Sequence, residues 1–311
     1  MTLEALNRLR RNLSPLAAGE AAPEELSRYL DFYHLGFDAE FPGLDHRLGT
    51  VASGPFQLAT HCWRHPNAVA NLLIVHGYMD HTGLFSKLVH FGLSHRCNVV
   101  IFDLPGHGLS SGDAITIEDF AQYGDAVADV RAACTLPDLP WVALAQSTGG
   151  AALIEYAREH DWLFSQVALL APLIRPAGWQ KMKWSRRLLG AVVKEVPRQF
   201  SVNSSDHAFL AFQHADPLSA RRIPLSWIAA LDRWLMDFDA CDLGVGPALV
   251  VQGDADGTVD WRWNVPRYQR LFPGSELCMV PGAGHQLANE AEAIQSGFLP
   301  VAARWLGVSA D

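Results

Sequence analysis

Short apolar runs alternate with amphipathic stretches along most of this chain. Val, Leu, Ile and Ala dominate these runs, which lie at 71–77, 97–104, 141–146, 166–173, 247–253 and 276–282. Strands that are buried on both faces form continuous runs of this kind, as in a parallel sheet covered by helices. Helical spacing follows the runs at about 116–134, 149–160, 263–271 and 290–306. The alternation therefore predicts a doubly wound α/β sheet.

The pattern changes in two regions. Leucines at helical spacing near the beginning of the chain predict an N-terminal helical extension, which two β-like segments follow. A long stretch between two of the later strands is helical in pattern and rich in Trp and Arg, which indicates an inserted cap. The predicted division is 1–44 for the extension, 45–175 and 243–311 for the α/β core, and 176–242 for the helical cap.

Two serines lie in motifs that resemble the turn of a nucleophilic serine. Such a turn follows a strand directly and opens a helix, so that the Ser Oγ stands off the sheet. Ser110 has a perfect Gly-x-Ser-x-Gly, but a glycine-rich loop separates it from the preceding strand. Ser147 follows the strand at 141–146 directly, and two glycines open a helix after it, although Ala145 replaces the first glycine of the motif. We therefore predict that Ser147 is the nucleophile and that Ser110 belongs to a loop.

A serine nucleophile needs a base and a carboxylate that orients the base, and the late strands offer both. His285 is the only histidine in the loop after the last strand. The loop after the preceding strand contains three aspartates, among which we favour Asp256 over Asp254 and Asp260. The chain order Ser, Asp, His at strand ends is typical of a Ser-His-Asp triad on an α/β sheet.

Five motifs together resemble those of the α/β-hydrolase superfamily, in the branch that contains monoacylglycerol lipases, lysophospholipases and serine aminopeptidase-type hydrolases. They are His76-Gly77-Tyr78-Met79-Asp80-His81, the segment 103–112, Gln146-Ser147-Thr148-Gly149-Gly150, the segment 253–259, and the Gly-x-x-His that ends at His285. The resemblance covers roughly 45–175 and 243–308. It departs at Ala145-Gln146, where the family usually has Gly-His.

The resemblance implies a mostly parallel eight-stranded sheet flanked by helices, with a helical cap insertion. It implies a serine hydrolase that cleaves carboxylic esters of the monoacylglycerol or lysophospholipid kind through an acyl-enzyme, without a metal or an organic cofactor. The backbone N–H groups of Tyr78 and Thr148 would form the oxyanion hole. As candidate substrate-binding residues we name Tyr78, Gln146, Trp179 and Trp227.

Charge and cysteine usage narrow the class of protein. The 311 residues carry a formal net charge of −9, which argues against a nucleic-acid binder. Five scattered cysteines without a C-x-x-C pair predict neither a disulfide framework nor a zinc cluster, and we expect a cytoplasmic enzyme.

Residues 180–199 contain six basic residues and one acidic residue. This local excess of positive charge indicates a solvated cap helix or, alternatively, peripheral contact with anionic lipid or a substrate head group.

Two alternatives to an esterase stay open at this point. An aminopeptidase or amidase of the same branch would need cap carboxylates that hold the amine of the substrate. Carboxylates available in the cap include Glu195, Asp206, Asp216, Asp232 and Asp237. A hydrolase-fold binding protein with slow turnover is the alternative from another class of protein, and measured turnover would separate it from an enzyme.

Overall fold

The computed structural model describes residues 1–18, 24–189, 193–236, 238–239 and 242–309, with the backbone alone for 185–189. The strands of these residues are β1 Asp45–Ser53, β2 Phe56–Arg64, β3 Ala70–Val75, β4 Cys97–Phe102, β5 Trp141–Gln146, β6 Phe164–Leu170, β7 Glu195–Pro197, β8 Arg222–Pro224, β9 Ala248–Gly253 and β10 Glu276–Val280. The α-helices are α1 Leu3–Arg11, α2 Glu25–Phe32, α3 Ser86–Ser94, α4 Ala121–Ala133, α5 Thr148–Glu159, α6 Trp179–Leu189, α7 His207–Ala215, α8 Leu225–Met236, α9 Trp261–Leu271 and α10 Glu292–Trp305.

Eight strands form one sheet in the order β1-β2-β4-β3-β5-β6-β9-β10. The pairs β1–β2 and β2–β4 are antiparallel, and every later pair is parallel. All residues of β3, β4 and β9 are buried, because helices cover both faces of the sheet. This arrangement confirms the predicted α/β-hydrolase fold, and each of the six predicted runs overlaps a strand.

The chain leaves the sheet after β6 and returns at β9, which pairs directly with β6. Between them lie the helices α6, α7 and α8 and a two-stranded antiparallel sheet of β7 and β8. The predicted cap boundaries, 176–242, include these elements, and the small sheet is an addition to the expected helices. The domain boundaries themselves stay a prediction.

The N-terminal segment packs against the core instead of extending away from it. Leu6, Leu9 and Tyr29 are fully buried and belong to the apolar cluster that also contains Leu88 of α3 and Phe298 of α10. The apolar spacing of this segment therefore reflects burial of one helical face.

One predicted helix boundary is wrong. The sequence pattern places the start of a helix near Thr116, as the N-cap with Asp119 three residues on, whereas α4 begins at Ala121. Asp119 Oδ1 accepts the N–H of Ala121 at 2.9 Å, and Thr116 Oγ1 instead lies 2.7 Å from Ser226 Oγ of the cap. Thr116, which the local pattern assigns to capping, therefore contacts a distant element of the chain instead.

None of the helices in the described ranges combines the length and the apolar character that a membrane crossing requires. The described ranges also contain no group of three or more His, Cys, Asp or Glu side chains that could hold a metal ion.

Candidate active site

Ser147 lies in the sharp turn between β5 and α5. Its backbone has φ 52° and ψ −112°, a region that L-residues rarely adopt, and Gly150 N–H donates to its carbonyl at 2.9 Å. The turn requires a close approach to β3, because a Cβ on Gly149 would lie 2.3 Å from the carbonyl oxygen of Val75. The strained backbone holds the Ser147 side chain off the sheet at the start of the helix.

His285 meets Ser147 from the loop after β10. Its Nε2 lies 3.0 Å from Ser147 Oγ, and its Nδ1 lies 2.8 Å from Asp256 Oδ2. The three side chains are buried and form one continuous hydrogen-bonded chain. The geometry therefore brings together the three residues that the sequence predicted as nucleophile, base and acid.

Asp256 is held as an ionised acceptor at the end of β9. Its Oδ1 accepts the backbone N–H groups of Thr258 at 2.8 Å and Val259 at 3.2 Å, and its Oδ2 accepts Gln252 Nε2 at 3.1 Å. Burial by itself opposes ionisation, but the His285 ring and these donors outweigh it and hold the pKa of the carboxyl below its ordinary value. Of the other two aspartates, Asp254 accepts the N–H of Gly282, and Asp260 pairs with Arg175.

Two backbone N–H groups beside Ser147 lack a protein acceptor among the hydrogen bonds of the described ranges. They belong to Tyr78 and Thr148, the two residues predicted for the oxyanion hole. The loop of Tyr78 can approach Ser147 because Gly77 has no side chain: a Cβ there would lie 3.2 Å from Ser147 Cβ. Free donors at this position can stabilise an oxyanion that forms at Ser147.

A cavity of about 260 Å³ opens above Ser147 and His285. Core loops and cap elements share the wall. Its apolar part includes Leu173, Pro176, Met182, Val196, Ile223 and Ile228. Its polar part includes Asp80, Arg198, Asn203 and Gln286.

Two of the predicted substrate-binding residues line this cavity. The rings of Tyr78 and Trp227 stack at a centroid distance of 3.7 Å, with 13° between their planes. Trp227 Nε1 also donates to Tyr123 Oη at 3.0 Å, which fixes the cap helix α8 to α4. The stacked pair joins the oxyanion loop to the cap.

The other two candidates lie elsewhere. Gln146 does not line the cavity: its Nε2 donates to the His285 carbonyl at 2.9 Å, and its Oε1 accepts the N–H of Ala288 at 3.2 Å. Both ends of the amide therefore hold the histidine loop. Trp179 is buried in the apolar cluster beneath the cap and is also absent from the cavity wall. The sequence could not show that these two side chains point away from the cavity, and their role in substrate binding stays a prediction.

Ser110 has a structural environment. Its Oγ donates to the Asp103 carbonyl at 2.5 Å and accepts the N–H of Ala59 at 2.9 Å. His76 bridges two backbone groups, with Nδ1 2.8 Å from the Gly77 carbonyl and Nε2 accepting the N–H of Leu104 at 2.9 Å. Burial lowers the pKa of His76 to about 3. Both side chains fasten loops next to the site.

The described cap carboxylates do not line the cavity. Glu195 pairs with Arg222, and Asp206 with Lys87. Asp232 pairs with Lys183. Asp216 accepts Tyr33 Oη at 2.7 Å and lies 2.6 Å from His81 Nε2, so it ties the cap to the core and to the N-terminal segment. Asp237 lies outside the described residues.

Sequence reasoning missed the polar wall of the cavity. Asp80 belongs to the motif at 76–81, and in the structure it lines the cavity and accepts Gln286 Nε2 at 3.1 Å. Arg198 lies at the end of the basic segment 180–199, and this excess of basic residues is the one signal in the sequence that could have identified it.

Helix α6 belongs to the same basic segment, and its Trp184 side chain is 62% exposed. Contact of this helix with lipid stays a prediction.

A larger groove of about 680 Å³ lies between the N-terminal segment, α3 and α10. Neither Ser147 nor His285 nor Asp256 lines it. We therefore assign the candidate active site to the smaller cavity, where reactive groups and an apolar wall meet.

Comparisons with known proteins agree with this geometry. A family model described as serine aminopeptidase, S33, matches residues 66–292. The chain is 34% identical to phospholipase YtpA of Bacillus subtilis over 251 residues, which are 74% of this chain and 93% of that protein. It is 26% identical to monoglyceride lipase of Mus musculus over 254 residues, 76% of this chain and 82% of that protein.

The fold is also similar to solved structures. A soluble variant of monoglyceride lipase from Saccharomyces cerevisiae, in complex with a substrate analog, superimposes with a TM-score of 0.72 at 18% identity. The match covers 85% of this chain and 96% of that one. At this level of identity the likeness concerns the fold.

Proposed function

The chain belongs to the α/β-hydrolase family described as serine aminopeptidase, S33, in the branch of the monoglyceride lipases, and is a hydrolase acting on esters; on that premise we propose that it cleaves monoacylglycerol-like or lysophospholipid-like acyl esters through a Ser147-His285-Asp256 triad. The observation that carries the proposal is the hydrogen-bonded chain of these three side chains at the base of a partly apolar cavity.

In the proposed mechanism Ser147 Oγ attacks the ester carbonyl while His285 Nε2 takes its proton. Asp256 keeps the proton of His285 on Nδ1 and stabilises the imidazolium that forms. The N–H groups of Tyr78 and Thr148 bind the oxyanion, and each such donor contributes about 3 kcal/mol to transition-state stabilisation. His285 then protonates the leaving alcohol, and water releases the acid from the acyl-enzyme by the reverse sequence of proton transfers.

Hydrolysis of p-nitrophenyl esters from acetate to palmitate tests the proposal. We expect the wild-type protein to cleave them and Ser147→Ala to lose on the order of 10⁴–10⁶ of the rate, because the triad acts as a unit. The matched control is Ser110→Ala, which removes an equivalent hydroxyl from the other serine motif and should retain catalysis. If Ser110→Ala abolishes hydrolysis and Ser147→Ala does not, the proposed nucleophile is wrong.

The aminopeptidase alternative has weaker support at this site. It relied on cap carboxylates that hold a substrate amine, and the four described ones are engaged with Arg222, Lys87, Lys183 and the Tyr33–His81 pair. Aminoacyl amides are the substrates to test if no ester is cleaved.

A further inference from the structure

Several buried polar atoms on the wall of the active-site cavity have no protein partner among the described residues. They are Tyr78 Oη, Thr148 Oγ1, Asn203 Oδ1 and Gln286 Oε1. Buried polar groups in folded proteins are almost always satisfied, so unsatisfied ones on residues that line a cavity indicate where a ligand or water can complete the site. An acyl chain offers no hydrogen bonds. A polar head group can satisfy atoms of this kind, and an acyl chain cannot.

Arg198 adds a cation to the same wall. It is the only Lys or Arg among the described lining residues, and it forms no ion pair with a carboxylate in the described part of the chain. Its Nη1 donates one long hydrogen bond of 3.4 Å to the Ala220 carbonyl, and its guanidinium stacks 4.3 Å from the centre of the Phe200 ring. Most of its N–H donors are therefore available to a ligand.

Asp80 lies on this wall too, but its carboxylate is already occupied. Gln286 Nε2 donates to both of its oxygens at 3.1 Å, and Gln213 Nε2 donates to Oδ1 at 3.3 Å. Burial raises the pKa of the Asp80 carboxyl, and the Gln286 amide and the positive charge of Arg198 offset part of that rise. Protein donors therefore engage the Asp80 oxygens, whereas most of the Arg198 donors have no protein partner among the described residues.

We propose that Arg198 selects esters whose alcohol part carries an anionic phosphate oxygen. The inference rests on the proposed function and narrows its substrates to the lysophospholipid type. A guanidinium binds phosphate oxygens through paired N–H donors, and the Tyr78 hydroxyl supplies another donor. The glycerol part supplies hydroxyl donors for Asn203 and Gln286. A neutral monoacylglycerol satisfies those acceptors but leaves Arg198 without a partner.

Two substrates that differ only in the phosphate test this selectivity. We expect wild-type kcat/KM for 1-octanoylglycerol 3-phosphate to exceed that for 1-octanoylglycerol by roughly tenfold or more, because a charge-assisted hydrogen bond to the guanidinium is lost with the neutral ester. In Arg198→Gln this ratio falls to near one. A wild-type ratio near one, or an unchanged ratio in Arg198→Gln, overturns the proposal.

Arg221→Gln is the matched control. Arg221 stacks on the same Phe200 ring, at 5.1 Å, but it is exposed and does not line the cavity. This variant should keep both the wild-type activity and the wild-type ratio. If Arg221→Gln lowers the ratio as much as Arg198→Gln does, surface charge explains the selectivity and the proposal is wrong.

Inhibition of p-nitrophenyl octanoate hydrolysis distinguishes the possible sources of phosphate. Competitive inhibition of the wild type, but not of Arg198→Gln, by inorganic phosphate supports recognition of the phosphate itself. Inhibition only by glycerol 3-phosphate supports recognition of the whole head group. If the wild type cleaves p-nitrophenyl octanoate but has no phosphate preference, this inference alone fails. If it cleaves none of the esters, the proposed function fails.

Discussion

The proposed catalytic groups and the groups that face the substrate come from two regions that are built differently. Ser147, Asp256 and His285 lie on loops that directly follow β5, β9 and β10 of the core. Arg198 directly follows β7 of the cap, and Trp227 lies on the cap helix α8, which side-chain contacts such as the bond from Trp227 Nε1 to Tyr123 Oη hold in place.

This difference separates the chemistry from the choice of ester. Positions at the ends of parallel strands are held by the hydrogen bonds of the sheet, so a reactive geometry can be kept within about half an ångström. Cap positions depend on fewer and longer-range contacts, and they supply much of the cavity wall. We therefore expect core substitutions to lower kcat for every ester, and cap substitutions to change KM and substrate preference.

The largest effect expected after the serine variant is that of Asp256→Asn. It removes the charge that stabilises the His285 imidazolium, and kcat should fall on the order of 10⁴-fold for all esters. The matched control is Asp254→Asn, two residues away, whose side chain accepts the N–H of Gly282 instead. Steady-state kinetics of both variants check this prediction. A larger loss in Asp254→Asn would reassign the acid.

A smaller core effect is expected for Gln146→Ala. The change removes both hydrogen bonds that join the elbow to the His285 loop, and a small displacement of His285 should lower kcat roughly 10–100-fold with little change in KM. Gln295→Ala is the control, since Gln295 Nε2 holds the same loop at the carbonyls of Leu287 and Ala288. Equal losses in the two variants would indicate a general loosening of the loop, which thermal unfolding would also detect.

A cap substitution, Trp227→Phe, should act on binding. It keeps a ring next to Tyr78 but loses the hydrogen bond to Tyr123, so we expect KM to rise about threefold with kcat nearly unchanged. Trp234→Phe in the same helix loses a comparable bond, to Glu155 Oε1 at 2.7 Å, away from the cavity wall. It should lower stability without changing KM. A kcat effect in Trp227→Phe would contradict the separation of roles.

The smallest effect on catalysis is expected for Asp216→Asn, which should lower stability instead. Burial opposes ionisation of Asp216, but His81, Tyr33 and the Leu218 N–H hold the pKa of its carboxyl below the ordinary value. The ionised group therefore stabilises the fold above its ordinary pKa, and this contribution disappears as the pH falls through the lowered pKa.

Thermal unfolding from pH 7 down to pH 3 checks this prediction. The Asp216 charge also raises the pKa of its partner His81, so the gap in Tm between the wild type and Asp216→Asn should be largest between the ordinary pKa values of the two groups, about 4 to 6.5, and should narrow as the pH falls further. A gap that stays constant over this range would show that the charge of Asp216 does not contribute.

Much of the site could be predicted from sequence because local signals coincide with strand ends. A continuous apolar run followed at once by Ser147 and two glycines leaves few alternatives to a strand–turn–helix, and residues at the ends of parallel strands meet at one edge of the sheet. The same reasoning separated Ser110, whose perfect motif lies in a loop, from Ser147. Sequence reasoning did not show that Gln146 and Trp179 lie outside the cavity wall, because sequence position does not determine which way a side chain points.

The sequence by itself determined the order of the strands along the chain, the fold family and the identity of the three candidate catalytic residues, since each depends on local pattern and chain order. Only the tertiary structure decided what covers the site. Arg198, Asn203 and Gln286 are separated in the chain and share no motif. They meet because the chain between β6 and β9 folds back over the sheet, and that packing follows from long-range contacts that no local pattern contains.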